Sequence, residues 1–287
     1  MTDARSTAST IKHTSTPMRI MLAIASFLVF VVGVQLYVFT ERTQDFFAWT
    51  IKSPLTASFL GGAYWASFTL ELLAARQRIW ARARIAVPAV LVFTGLTLVV
   101  SLINIGAFHI NRPELLTRAA AWIWLAVYAI VPVVLGVLLA HQLRAPGHDP
   151  AKHSRLPGWA RSLLTLHATL LLAIGIGLLF APASANQVWP WKVSLLGAQA
   201  IGAWLIGLGI AAAQAAYENE WSRVTVATGA YVAFGTLQLI ALARYPAEVL
   251  WNTPQAWLYV AFVGSMLVFG FYGVSIATAQ SESERVE

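Results

Sequence analysis

Eight stretches of predominantly apolar residues recur along the 287-residue chain, at 19–40, 54–75, 85–107, 119–142, 161–182, 192–216, 224–243 and 256–279. A helix needs about 20 such residues to cross a hydrocarbon core roughly 30 Å thick. Within lipid every backbone N–H and C=O must be satisfied internally, which restricts a crossing segment of this length to a helix. The composition leaves no water-soluble alternative. Hydrophobic residues make up 58% of the chain, charged residues 11%, and the mean hydropathy is +0.67. Soluble domains carry about 25% charged residues, so this chain cannot cover a surface of its size in water. A soluble enzyme, a disordered protein and a nucleic-acid-binding domain are excluded, in spite of a net charge of +7. The expected fold class is all-α and integral to the membrane.

Orientation follows from where the basic residues fall. Lys and Arg concentrate on the cytoplasmic side of bilayer spans. With eight crossings and a cytoplasmic N-terminus, 13 of the 19 Lys and Arg lie inside and 6 outside, and both termini are cytoplasmic. The segments RQRIWARAR (76–84) and RAPGHDPAKHSR (144–155) carry most of the bias. Tryptophans at both expected boundaries fit an interfacial belt. The first stretch is too long for the apolar core of a signal peptide and lacks a small-x-small cleavage site, so it reads as a retained span. The plasma membrane is the expected location.

The two halves of the chain resemble each other. At an offset of 142, Arg19 meets Arg161, Gly33 meets Gly175 and Trp49 meets Trp191; at 141, Gly61 meets Gly202, Trp80 meets Trp221, Arg82 meets Arg223 and Phe93 meets Phe234. Matches of Trp, Arg and Gly at a nearly constant offset outweigh chance agreement among Leu and Ala. Four spans is an even number, so both halves enter the bilayer from the same side. The expectation is eight transmembrane helices as two parallel four-helix repeats, related by a pseudo-twofold axis along the membrane normal. The divisions are a disordered cytoplasmic leader over 1–18, a first repeat over 19–143, a basic linker over 144–160, a second repeat over 161–279 and a polar tail over 280–287. A ligand would find its natural place in the cleft between repeats.

An ionisable group at the bilayer centre costs at least ~2.5–3.5 kcal/mol, and each one present needs a reason. Glu71, His141 and His167 fall at similar depth in the cytoplasmic leaflet and form the candidate ligand or proton site. Glu71 aligns with Ala212, and His167 with Ala25, so neither group belongs to the repeated scaffold. Histidine titrates near neutrality, which suits proton exchange. On the outer side Trp49, Lys52, Trp189, Trp191 and Lys192 join aromatic rings to lysines just before a span, a combination able to stack on and neutralise a lipid headgroup or an anion. His109, Asn111, Glu114 and Arg118, with Arg244, Glu248 and Asn252 in the second half, read as solvated loop residues. Gln35, Asn104, Gln199, Gln214 and Gln238 read as interhelical hydrogen-bonding groups.

The absence of cysteine excludes disulfides, thiolate metal sites and thiol catalysis. No phosphate loop, H-E-x-x-H or G-x-S-x-G occurs. The 4+4 parallel design is similar to that of the haem A synthases in topology alone. That family's pattern places histidine pairs and a Glu-x-x-His motif in both halves. Here His109 has no histidine facing it from the second half, and no Glu-x-x-His occurs, so neither the activity nor haem is carried over. No metal or cofactor is expected. Partners are the lipid bilayer, a small-molecule or lipid ligand and a further membrane protein, with nucleic acid excluded. Three functions stay open: a transporter-like or ligand-binding protein for a small amphiphilic or cationic solute; a non-catalytic scaffold or accessory subunit; and a membrane enzyme acting on a lipid or quinone, with Glu71 and His167 as acid and base.

Overall fold

The computed structural model describes residues 11–286, so Arg5 and most of the expected leader lie outside the described residues. Among those described there are eight helices of 18 residues or more and no strand. They are α1 (Thr16–Gly33, prolonged by a π-helical turn over Val34–Val38), α2 (Pro54–Arg76), α3 (Ala86–Ile103), α4 (Leu115–Arg144), α5 (Gly158–Phe180), α6 (Leu195–Glu218), α7 (Trp221–Arg244) and α8 (Pro254–Val286). Each coincides with one of the eight apolar stretches.

Local chemistry sets several of the ends. Ser53 and Ser194 sit at the N-caps of α2 and α6, where their side chains accept from Thr56 N and Gly197 N. Such caps satisfy amides that the helix itself cannot pair. Proline occupies the first turn of α1 and α2, where its missing N–H costs nothing. Asn219 stops α6 by turning left-handed, with φ of 47°, a conformation that Asn tolerates better than most residues.

Seven of the eight helices, all except α2, are long and apolar enough to cross a membrane, which fits a multi-pass membrane protein. Although 23 residues long, α2 falls short on hydropathy because its Ser, Thr, Tyr and Glu positions face protein. Thr56, Ser58, Tyr64, Ser67 and Glu71 are all buried. A helix enclosed by its neighbours has no need of a lipid-compatible surface.

Burial divides the bundle into an inner and an outer set. The most apolar window of α6 is 78% buried, that of α4 only 22%. The inner helices α2, α3, α6 and α7 meet chiefly through α2 on α7 and α3 on α6, and each carries one outer helix: α1 on α2, α4 on α3, α5 on α6 and α8 on α7. The outer helices turn Phe27, Ile123, Ile130, Val133, Ile176 and Leu258 outwards. The seam between the two halves is closed. Cavities along it measure about 10 and 20 Å³, the room of a water molecule.

Many contacts occur twice, 141 or 142 residues apart. Trp80 N donates to Lys12 O (3.0 Å) and Trp221 N to Ser154 O (2.9 Å); His109 N donates to Ala48 O and Leu250 N to Pro190 O, both at 2.9 Å. Isolated antiparallel bridges join Trp49 to Phe108 and Trp191 to Val249. Gly61 lies against the backbone of Leu36 and Tyr37, as Gly202 lies against that of Leu178 and Leu179.

The ends differ from the expected divisions. Residues 11–15, assigned to a disordered leader, are extended and hydrogen-bonded: Lys12 N donates to His148 O and Thr14 N to Arg78 O. The tail from 280 continues α8 as far as Val286.

Candidate functional site

Glu71 lies on α2 with 1% of its surface exposed. Ser67, one turn earlier on the same face, donates to its Oε1 at 2.7 Å, whereas Oε2 has no partner. Two turns before Glu71, Tyr64 presents its hydroxyl to that of Tyr128 on α4, 2.5 Å away and likewise buried. One hydrogen of the two phenols bridges them, and the indole N–H of Trp204 faces the Tyr64 oxygen. Glu71, Tyr64, Tyr128 and Thr94 line one cavity of about 30 Å³, closed by apolar residues of α1, α3 and α4. A buried carboxylate oxygen without a donor is costly. On a cavity shared with the phenol pair, it makes a site that can accept from and donate to a small polar group.

The two histidines are not brought to Glu71. His167 points from α5 between α7 and α8, with its ring 5.6 Å from that of Tyr231 and 5.1 Å from that of Phe262. Ser265 donates its hydroxyl hydrogen to Phe262 O. Its oxygen therefore accepts from His167 Nε2 at 2.9 Å, which leaves the Nδ1 lone pair buried and unpartnered. His141 is exposed at the end of α4. Each half thus encloses its own polar group: Glu71 among α1–α4, His167 among α5–α8. Among the described residues no three His, Asp or Glu side chains are placed to hold a metal ion.

In the segments that precede α2 and α6 the aromatic rings turn inwards. Trp49 packs at a tilt or edge-on against Phe47, Phe108 and Trp124, with ring centroids 4.5–5.1 Å apart. Trp191 is 1% exposed and donates Nε1 to Thr56 Oγ1 at 3.0 Å, and Trp189 packs edge-on against it. Lys52 and Lys192 alone of that group are exposed. The five residues do not form one surface.

Several loop residues that read as solvated instead tie the structure together. His109 is buried; its Nδ1 donates to Phe47 O and its Nε2 accepts from Thr50 Oγ1, both at 3.0 Å. Glu248 accepts from Ser53 Oγ and from Leu55 N, which attaches the loop between α7 and α8 to the start of α2. On the other face Glu218 accepts from Arg84 Nε (2.5 Å) and Arg223 Nη1 (3.0 Å), while Asp149 of the linker binds the same two arginines at 2.7 and 3.2 Å. Burial disfavours the Arg84 charge, but Glu218 and Asp149 more than offset it and hold the guanidinium above its usual pKa. Arg223 also donates to Pro150 O, and Lys152 to Glu218 O.

Of the site around Glu71, Ser67 and Tyr64 were within reach of sequence reasoning, since spacings of four and seven put them on its helix face. Tyr128 carried no such signal, because only the packing of α4 on α3 brings it there.

No protein-family model, no curated protein and no solved structure matches the chain.

Proposed function

We propose that the chain is a multi-pass protein of the plasma membrane whose eight long helices all cross the bilayer as two parallel four-helix repeats, with both termini cytoplasmic. Its role is transporter-like or ligand-binding, for a small amphiphilic or cationic solute. The doubled hydrogen bonds at constant offset support the repeats, and the excess of Lys and Arg in the inner loops supports the orientation. The observation that carries the function is Glu71: a carboxyl in the bundle interior, one oxygen free, facing a cavity shared with a phenol pair. The closed seam moves the binding site from between the repeats into the first of them.

A scaffold or accessory subunit is the second reading. Its support is the separation of Glu71, His141 and His167, which also weakens an enzyme with Glu71 and His167 as acid and base.

The test is binding of two amines, propylamine and dodecylamine, to the full chain in lipid nanodiscs, counted above empty nanodiscs. Saturable binding of at least one amine, weakened tenfold or more by Glu71→Gln, is expected. Equal behaviour of wild type and Glu71→Gln, or no saturable binding of either amine, would overturn the solute site.

A further inference from the structure

On the far side of the α1 and α4 residues that close the Glu71 cavity lies a second, larger space. These two outer helices touch only sparsely, and between them lies a cleft of about 230 Å³. That is larger than the ~150 Å³ apolar cavity that admits benzene. Phe27, Val31 and Ile123 form its rim and are exposed on the outer surface of the bundle; Trp124 and Phe47 form its floor. The cleft and the Glu71 cavity share Leu28, Val32 and Val127 as a common wall. All three are half-buried rather than fully enclosed, so rotamer changes of these side chains can connect the two spaces.

The lining is apolar apart from Gln35. That residue lies in the π-helical turn Val34–Val38, an irregularity that recurs at functional sites, and its amide donates to Phe46 O at 3.0 Å. At the corresponding place in the second half stands Gly177, and α5 is a regular helix there.

We propose that this cleft is the bilayer-side access to Glu71, and that the ligand is a single-chain amphiphile whose amine head meets the carboxyl while its chain lies between α1 and α4. The inference rests on the reading of Glu71 as the solute site. Energetics require both parts of such a molecule. Lipid tails are as apolar as the cleft, so a chain alone gains little by leaving them. A small cation alone has no route across hydrocarbon, where a charge is expensive. The head supplies the preference for the protein, and the chain supplies passage through the bilayer and a fit to the cleft.

Two variants fill the cleft without touching the Glu71 cavity: Ala120→Trp on α4 and Val31→Trp on the lipid-facing rim of α1. With the full chain in nanodiscs, dodecylamine is expected to bind saturably to wild type. Each variant should weaken that binding at least tenfold, and propylamine should bind at least tenfold more weakly than dodecylamine. The size-exclusion profile of each variant identifies any that fails to fold, and the other then decides. Equal binding of the two amines, or cleft variants with unchanged dodecylamine binding, would overturn the bilayer route while leaving Glu71 as the site. Dodecylamine binding that Glu71→Gln leaves unchanged would overturn both.

Discussion

A buried carboxyl oxygen that finds no donor costs a folded protein about 1–3 kcal/mol, and Glu71 Oε2 is such an atom. His109 is the contrasting case, since both its ring nitrogens are engaged. A group retained for binding should be dispensable for stability, whereas a group retained for structure should not. Glu71→Leu is therefore expected to raise the melting temperature of the purified protein by a few degrees, at ~2–4 °C per kcal/mol, while it abolishes amine binding. His109→Ala should lower the melting temperature, because Phe47 O and Thr50 lose their partner. A Glu71→Leu variant as destabilised as His109→Ala would show Glu71 to be a structural residue. Sequence alone could single out Glu71, since a charge amid apolar residues is conspicuous. It could not show that His167 lies apart from Glu71, because only the packing of the helices puts Glu71 on a cavity shared with Tyr64 and Tyr128 and His167 against Tyr231 and Phe262.

At the scale of elements the sequence was most informative, and for a physical reason: a crossing helix must be apolar over its whole length, so its position is written continuously along the chain. All eight long helices lie where the apolar runs predicted them. The π-helical turn in α1 and the enclosure of α2 by its neighbours were not legible as such, since both depend on packing. The close approaches of α1 to α2 and of α5 to α6 depend on glycine. A Cβ on Gly61 would come within 2.6 Å of Tyr37 N, and one on Gly202 within 2.7 Å of Gly175 O. These are backbone atoms that cannot swing aside. Gly61→Ala and Gly202→Ala are expected to destabilise by similar amounts, about 1–3 kcal/mol each. Gly95→Ala, with open space around the new methyl group, should be neutral within ~0.5 kcal/mol. Thermal unfolding in detergent measures all three, and a large cost at Gly61 with none at Gly202 would separate two helix pairs that the 141-residue offset sets side by side.

For the molecule as a whole, the question is what holds the two halves in one arrangement. Within the bilayer they meet through α2 on α7 and α3 on α6, where small residues allow close packing but no hydrophobic force draws helix to helix. At the end of the bundle where α2 leads into α3 and α6 into α7 a second tie exists, which the basic composition of the linker concealed. The run 144–155 reads as a solvated positive loop, yet its one acid, Asp149, joins Glu218 in pairing Arg84 of the first half with Arg223 of the second. Glu218 is the centre of this arrangement, with its side chain 1% exposed. Removing one partner of a buried ion pair typically costs 3–5 kcal/mol, because the opposite charges stay behind without compensation. Glu218→Gln would leave two arginines facing Asp149 alone, and Arg223, whose guanidinium holds Asp149 and Pro150 O of the linker, would lose the carboxylate that fixes it. The linker offers Arg144, Lys152 and Arg155 to trypsin. Glu218→Gln is expected to raise the rate of tryptic cleavage between 144 and 155 at least tenfold over wild type. Asp149→Asn, at a partly exposed carboxylate, should cost nearer 1 kcal/mol and raise that rate only a few-fold. Equal rates in wild type and Glu218→Gln would mean that the helix seam alone fixes the two halves, and that the ionic cluster follows their arrangement without contributing to it.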